Sequence, residues 1–522
     1  MTLPSPLLSR RAFLGTSGAL AAGAAAAGLL PTRAGAASIP RSSGTAASTP
    51  SLAALLDPDP SLHLARRATY GITKALQREI PRVGRAAWVR RQLDPSTIAD
   101  TRCDSYLERY PLLGLDPGQV ASRIPVGHFD QMNQIVAASF VREVWSERQL
   151  YEMMVEFWWN HFNIGLPDGD AWNLCGSFDD LIRARALGRF EDLLLGVAHS
   201  PAMLNRLNQN VSVGSNPNEN YAREMLELHT VGVEAGYTQL DVHHAALFLT
   251  GWGLDATGTS FRFTPADHYL GPVKIMGFSS ENLSTATAES EILRYLRYLA
   301  RSEWTARHLA TKLCVRFVSD SPPDKLVDRL AEIYLDNETE IVPVLEHLFA
   351  SDEFYASVGK KVRRPIEALA ASLRILDYEL ANQLTGDLAD LVFGLEIMGQ
   401  QPLGWPQPNG YPDTAAAWSS ASFLQEQWGF DLRLSGGWWT ETLSFPGMLE
   451  LLGRPSASMP AGTFVDVVTE RLLCQQVTAA HRKIFLSFLD RDEDEPIGSS
   501  TLAGTLPLFC QLVLCSPYFA VR

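Results

Sequence analysis

Apolar residues recur every three or four positions from Pro60 to about Cys515, and this spacing constrains the fold more than any other feature of the chain. Side chains at i, i+3, i+4 and i+7 share one face of a helix, so such a chain buries helical stripes against one another. Asp59 before Pro60 marks the first start, since an aspartate caps orphan N–H groups and proline suits the first turn. The spacing predicts helices over 60–69, 74–93, 118–138, 143–163, 177–199 and 218–231. Others follow over 239–250, 288–299, 303–317, 323–335, 339–350, 363–380, 385–398, 415–428, 463–475, 478–488 and 502–515. Thr238 to Asp241 reads as a capping box. The exception is 255–285, where Phe261-Arg262-Phe263 and Val273-Lys274-Ile275 read as one hairpin around Asp267-His268. Residues 401–413, with Pro402, Pro406, Pro408, Gly410 and Pro412, read as a rigid loop. The expected class is all-α with a small β-hairpin insertion around 255–285. Residues 57–522 form a single large helical domain, with a subdivision conceivable near 285–300.

Ahead of this domain, Arg10-Arg11 precede a weakly apolar, Ala/Gly-rich run and a small-residue site at Ala34-Gly35-Ala36. That is the form of a twin-arginine export signal over residues 1–36. The translocase of that route would be a partner during export and would carry the chain already folded. The destination is the periplasm, cell envelope or extracellular space. Residues 37–56, rich in Ser, Thr, Ala and Pro, read as a disordered linker. Cleavage would leave 41 basic against 58 acidic residues, a charge that repels nucleic acid and anionic lipid. No later segment is long and apolar enough for a transmembrane anchor. The six cysteines, without a CxxC spacing, are too sparse for a disulfide scaffold, although an oxidising compartment permits one or two bridges.

Two helices carry a histidine on an apolar face. Around Asn218–His229, Asn220, Arg223, Glu224 and Glu227 share a polar arc, while His229 falls among Tyr221, Met225 and Leu226. Arg223 and Glu227 are spaced for an ordinary surface ion pair, yet with Asn220 they form a candidate binding face. Crowding by Glu227 would raise the Glu224 carboxyl, making it a catalytic candidate. In Leu150–Phe162, Glu152, Glu156 and Asn160 share the polar arc, and His161 sits among Leu150, Met154, Phe157 and Trp158. A lone buried histidine is usually a satisfied core residue. Two on packed helices could hold a divalent metal, so His161 and His229 are the candidate metal ligands. His268 and Asp267, on the hairpin turn, are further catalytic candidates. His243 and His244 look structural or solvent-facing. Arg66 is expected to bond carbonyls or a distant acid, and Lys360–Pro365 reads as local charge balance. None of the established nucleophile, zincin or phosphate-loop signatures occurs.

Several stretches together resemble the bacterial family called domain of unknown function 1800. They are His63–Gly71, Phe157–Phe162, Asn218–Glu224 with Glu227-Leu228-His229, Gly236–Thr238 with Asp241-Val242, Leu249–Trp252, Lys361–Glu367 and Pro408–Pro412. The resemblance implies an exported, mostly helical protein of no assigned activity. It also implies a frequent companion, an exported protein of the domain of unknown function 1501 family. Members of the family usually read His-Asp in the hairpin, whereas here Asp267 precedes His268 and Tyr269 follows.

Two functions are compatible with these features. One is a binding or assembly protein acting with another exported partner. The other is a metal-assisted envelope hydrolase with a buried His/Glu/Asn site. Replacing Arg10 and Arg11 together by Lys is expected to stop export, measured as the fraction of the protein outside the cytoplasm. Normal export of that variant would remove the twin-arginine assignment.

Overall fold

Asp59 does what its place before Pro60 requires: its carboxylate accepts from Ser61 N and Leu62 N at 2.9 and 2.8 Å. The computed structural model describes residues 52–125, 128–166, 172–381, 388–438 and 442–522, so the signal segment and residues 37–51 lie outside the described residues. Of the residues expected to form the linker 37–56, Leu52–Leu55 are helical. Leu55 and Leu56 are buried, and Gln475 Nε2 donates to Leu55 O at 2.9 Å.

Among the described residues helices dominate from there on, with three two-stranded sheets between them. Eight helices position the residues discussed below. They are α1 (Pro60–Arg67), α2 (Gln149–His161), α3 (Glu219–Glu224), α4 (Glu303–Phe317), α5 (Pro365–Ile375), α6 (Ala421–Gly436), α7 (Ala479–Leu489) and α8 (Leu506–Leu514). Residues 50–522 cluster as one unit around a continuous apolar core, in which Trp145, Trp158, Trp159 and Trp252 are fully buried.

Three departures from regular periodicity have local causes. The helix expected over 143–163 breaks after Trp145. There Asp100 accepts from Ser146 Oγ at 2.6 Å and from Glu147 N at 2.8 Å, offering the backbone an alternative to the helix ladder. After α3 the chain widens into a π-helical turn, Met225–His229, and Thr230 Oγ1 closes onto Met225 O at 2.6 Å. Such turns shift every following side chain round the axis relative to a plain α-helix.

The third departure is in the insertion. Phe261–Phe263 pairs with Trp252–Leu254, and Val273–Ile275 pairs with Phe278–Ser280, so the expected single hairpin is two hairpins. The second closes through Met276 and Gly277, whose φ values of 47° and 91° suit the two-residue turn that matches strand twist. In the first, Asp255 holds Thr259 N and Ser260 N. Each strand thus finds a nearer partner than the other expected strand. All six cysteines are free thiols, five of them buried, so the bridges allowed by sequence do not form.

Arginines anchor the end of α1. Arg66 donates to Asp57 O at 3.3 Å and to Gln475 Oε1 at 2.5 Å, a carbonyl and an amide rather than an acid. Its neighbour Arg67 gathers four carbonyls: Arg522 O, Phe317 O, Val318 O and Ser357 O, at 2.6–2.8 Å. Lysine cannot reproduce this planar fan of donors. Arg67→Lys is expected to destabilise by roughly 2–4 kcal/mol, the cost of leaving two or so buried carbonyls unpaired, and Arg66→Lys by less. Thermal melts of both variants check the order; equal, unchanged melting temperatures would contradict it.

Candidate functional site

The polar arc of α2 points into a buried ion network. Glu156 receives Arg364 in a two-pronged pair, both N–O distances being 2.9 Å, with Arg316 at 3.2 Å and Asn160 Nδ2 at 2.5 Å. Glu367, on the first turn of α5, accepts from the Arg364 backbone N–H at 3.0 Å and pairs with Arg364, Arg522 and Arg316. Asp413 lies 3.6–3.9 Å from Lys361, Arg316, Arg364 and Arg522. Lys361 also reaches Asp320 at 2.6 Å. The side chains of Arg316, Arg364, Arg522, Lys361 and Glu367 are at most 3% exposed. The run Lys360–Pro365, read from sequence as local charge balance, thus places Lys361 and Arg364 in a buried network, while Lys360 stays exposed. Burial alone would raise the Glu367 and Asp413 carboxyls, but the surrounding cations hold Glu367 well below the usual range and lower Asp413.

The proline-rich loop is seated by the same helix. Asn160 Oδ1 accepts from Tyr411 N at 3.2 Å, and Asn163 Nδ2 donates to Trp405 O and Gln407 O. Gly410 has φ +68°, and a Cβ there would stand 2.0 Å from Asn160 O. Only glycine suits this close approach in the left-handed region.

His161 and His229 do meet, with ring centroids 6.4 Å apart. The link runs through backbone: His161 Nε2 faces His229 O at 3.1 Å. Its other nitrogen, Nδ1, faces Lys312 Nζ at 2.9 Å. An ammonium can only donate, so Nδ1 accepts and Nε2–H donates, fixing one neutral tautomer. Burial, then Lys312, His308 and His229, push the His161 ring well below its usual value. A metal at His161 would have to displace Lys312 or the carbonyl. Among the described residues no group of three or more His, Cys, Asp or Glu is arranged to hold a metal ion. Burial pushes Lys312 down to about 8, opposed by Asp413. Sequence reasoning placed the helix over 303–317 and missed the role of Lys312 on it. His308, Lys312 and Arg316 are spaced i, i+4, i+8 on α4, one face joining the histidine pocket to the ion network.

The other expected site residues stay apart from this centre. Asn220 Nδ2 caps Leu207 O at 3.4 Å, and Arg223 pairs with Glu219 and Glu227 at 3.5 Å each. Tyr237 OH donates to Glu227. Glu224 is half-buried, and burial and then Glu227 raise its carboxyl. No hydrogen bond or ion pair joins these residues to either histidine. His268 has both nitrogens engaged, Nδ1 with Thr250 O at 2.8 Å and Nε2 with Asn282 Oδ1 at 3.0 Å, while Asp267 is exposed.

The family model described as "Protein of unknown function (DUF1800)" matches residues 63–521. The chain belongs to this family. No curated protein and no solved structure matches it. Three of the stretches that carried the DUF1800 resemblance meet here: Phe157–Phe162 supplies Asn160, Lys361–Glu367 the charges of Lys361, Arg364 and Glu367, and Pro408–Pro412 the seated loop. Arg67, from the first stretch, holds the carbonyls of Phe317 and Val318 at the end of α4.

The DUF1800 fold also shows an apolar outer face. Leu424 and Trp428 of α6 and Ile484 and Phe488 of α7 are exposed i,i+4 pairs, with Leu508 of α8 also exposed. Trp428 is 47% and Ile484 58% exposed. The helices adjoin: Gln511 Nε2 donates to Trp428 O at 2.9 Å, and Phe488 stacks on Phe509 with centroids 6.1 Å apart.

Removing one partner from the ion network leaves uncompensated buried charge, so Glu156→Ala is expected to destabilise by about 3–5 kcal/mol. Urea denaturation checks this, and a loss under about 1 kcal/mol would contradict it. Stability should also fall in mild acid. Burial chiefly pushes His63 and His229 down to about 3 and His161 well below its usual value. These rings stay neutral when folded but protonate when unfolded, near pH 6.5. Their contribution is therefore complete above about pH 6.5 and drains away as pH falls toward the folded values, by about 1 kcal/mol per ring at pH 5.5. Denaturation midpoints at pH 7.5 and 5.5 measure it; a flat profile would show that the rings are not held neutral.

Proposed function

We propose that this is an exported envelope protein that works by docking a partner protein through the outer face of α6, α7 and α8. The exposed apolar pairs on helices joined through α8 carry the reading, because clustered exposed apolar side chains on a charged protein mark an interaction site. Two i,i+4 pairs on helices that each pack against α8 present the kind of ridge into which a partner helix packs. Among the described residues nothing covers this face. The hydrolase alternative draws on Asn220, Glu224 and His161, which no hydrogen bond or ion pair joins among the described residues, and on His161 nitrogens already engaged.

The partner we propose is a second exported protein, and the family resemblance points to the domain of unknown function 1501 family. The export route is the twin-arginine pathway that Arg10 and Arg11 suggest. Trp428→Glu combined with Phe488→Glu is expected to leave the melting temperature within a few degrees and to weaken co-purification of a co-expressed partner of that family at least tenfold, since anchoring aromatics dominate such interfaces. Retention of the partner by the double variant, or no retention by the parent chain, overturns the reading.

A further inference from the structure

The helix Arg85–Gln92 packs beside the helix Ile341–Ala350, and a groove of about 690 Å³ opens along them, a size typical of small-molecule sites. Val83, Ala87, Val89, Phe349 and Ala350 give it apolar walls. Charge around it runs against the rest of the molecule. In a chain of formal net charge −14, residues 74–92 carry six basic side chains and one acid, Glu79. Arg91 takes Glu79 at 2.5 Å, whereas Arg78, Arg82, Arg85 and Arg90 are exposed and, among the described residues, make no ion pair. Of these, Arg85 and Arg90 line the groove. The Arg85 guanidinium lies over the Tyr355 ring, 4.7 Å from its centroid. Stacking uses the face of the guanidinium and leaves its N–H edge free for an anion. Glu346, the one carboxylate among the described lining residues, is ion-paired with neither arginine.

We propose that this groove binds fatty acids of medium chain length, with the carboxylate on Arg85 and Arg90 and the acyl chain along the apolar walls. A guanidinium edge matches a carboxylate in two-pronged fashion, and the stacked Arg85 has less freedom to lose on binding. The acyl chain follows from the walls. Both are helices, which offer no strand edge for a peptide to pair with. A single carboxylate also suits the charge of the molecule, because an acid with several would be repelled by the acidic surface beyond the patch. Each methylene fully buried contributes roughly fourfold in affinity. The groove shares no residue with the outer face of α6, α7 and α8.

Titration calorimetry of the full mature chain with octanoate, decanoate and dodecanoate tests this. Affinity should rise roughly threefold or more for every two methylenes, as partial burial of the chain requires. Decanoate should bind roughly tenfold or more tighter than decanol, which lacks the charge. Arg85→Gln should lose most of that preference for the acid while melting like the parent. Glu346→Gln should tighten decanoate binding, an effect that damage to the fold does not produce. Ala87→Trp, which fills the groove, should remove binding. No binding by the parent chain, equal affinities for acid and alcohol, or unchanged affinity in both Arg85→Gln and Ala87→Trp overturns the site. Displacement of decanoate by a tetraglutamate peptide would assign the groove to an acidic segment and overturn the fatty-acid reading. The Trp428→Glu, Phe488→Glu chain should bind decanoate like the parent, so failure of the docking reading leaves this result standing.

Discussion

The pairing of Glu156 with Arg364 and Arg316 is the interaction on which the rest of the centre depends. Charges of this size are expensive to remove from water, and only geometry with several bonds per ion offsets that cost. Glu156 has that geometry, with a two-pronged guanidinium, a second arginine and an amide on one carboxylate. Because Glu156 is fixed, α2 is fixed, and with it Asn160 and the loop that Asn160 seats. Because Arg316 is fixed, the face of α4 is fixed, and Lys312 is delivered to His161.

The polar side chains in this centre thus divide their work. Carboxylates and arginines satisfy one another and set positions. The histidines are kept neutral by burial and serve as acceptors or remain unpartnered. The lysine is the one cation of the pocket whose hydrogen bond goes to an uncharged ring. Outside, the acidic surface is interrupted by apolar ridges on α6 and α7, the reverse of the polar arrangement within.

Features decided by neighbours in sequence were legible. The Asp59 cap, the Thr238–Asp241 capping box and the helical class follow from local rules, and each appears as expected. The apolar setting of His161 and His229 was legible too, because periodicity records which face is buried. What periodicity cannot record is a partner 208 residues away, the separation of Glu156 and Arg364, so Lys360–Pro365 read only as local charge balance. The π turn after α3 defeats a fixed angle per residue, and the Met276-Gly277 turn redirects strands that alternation alone had joined. Lys312 left a signal, the i, i+4, i+8 spacing of His308, Lys312 and Arg316, but such a row usually marks a solvated stripe.

The ion network draws on residue 156 and on residue 522, with the backbone of Lys361 receiving Arg522 N at 2.9 Å. Helices near the amino end can form as they emerge from the ribosome, but the interior charges cannot be neutralised until residue 522 has emerged. Before then Glu367 and Asp413 lack one of their cations, and the carbonyls around Arg67 lack a fixed frame. Such an interior closes late and all at once, as its long sequence separations require. A chain that has not yet reached residue 522 would carry an open, charged centre that water can enter.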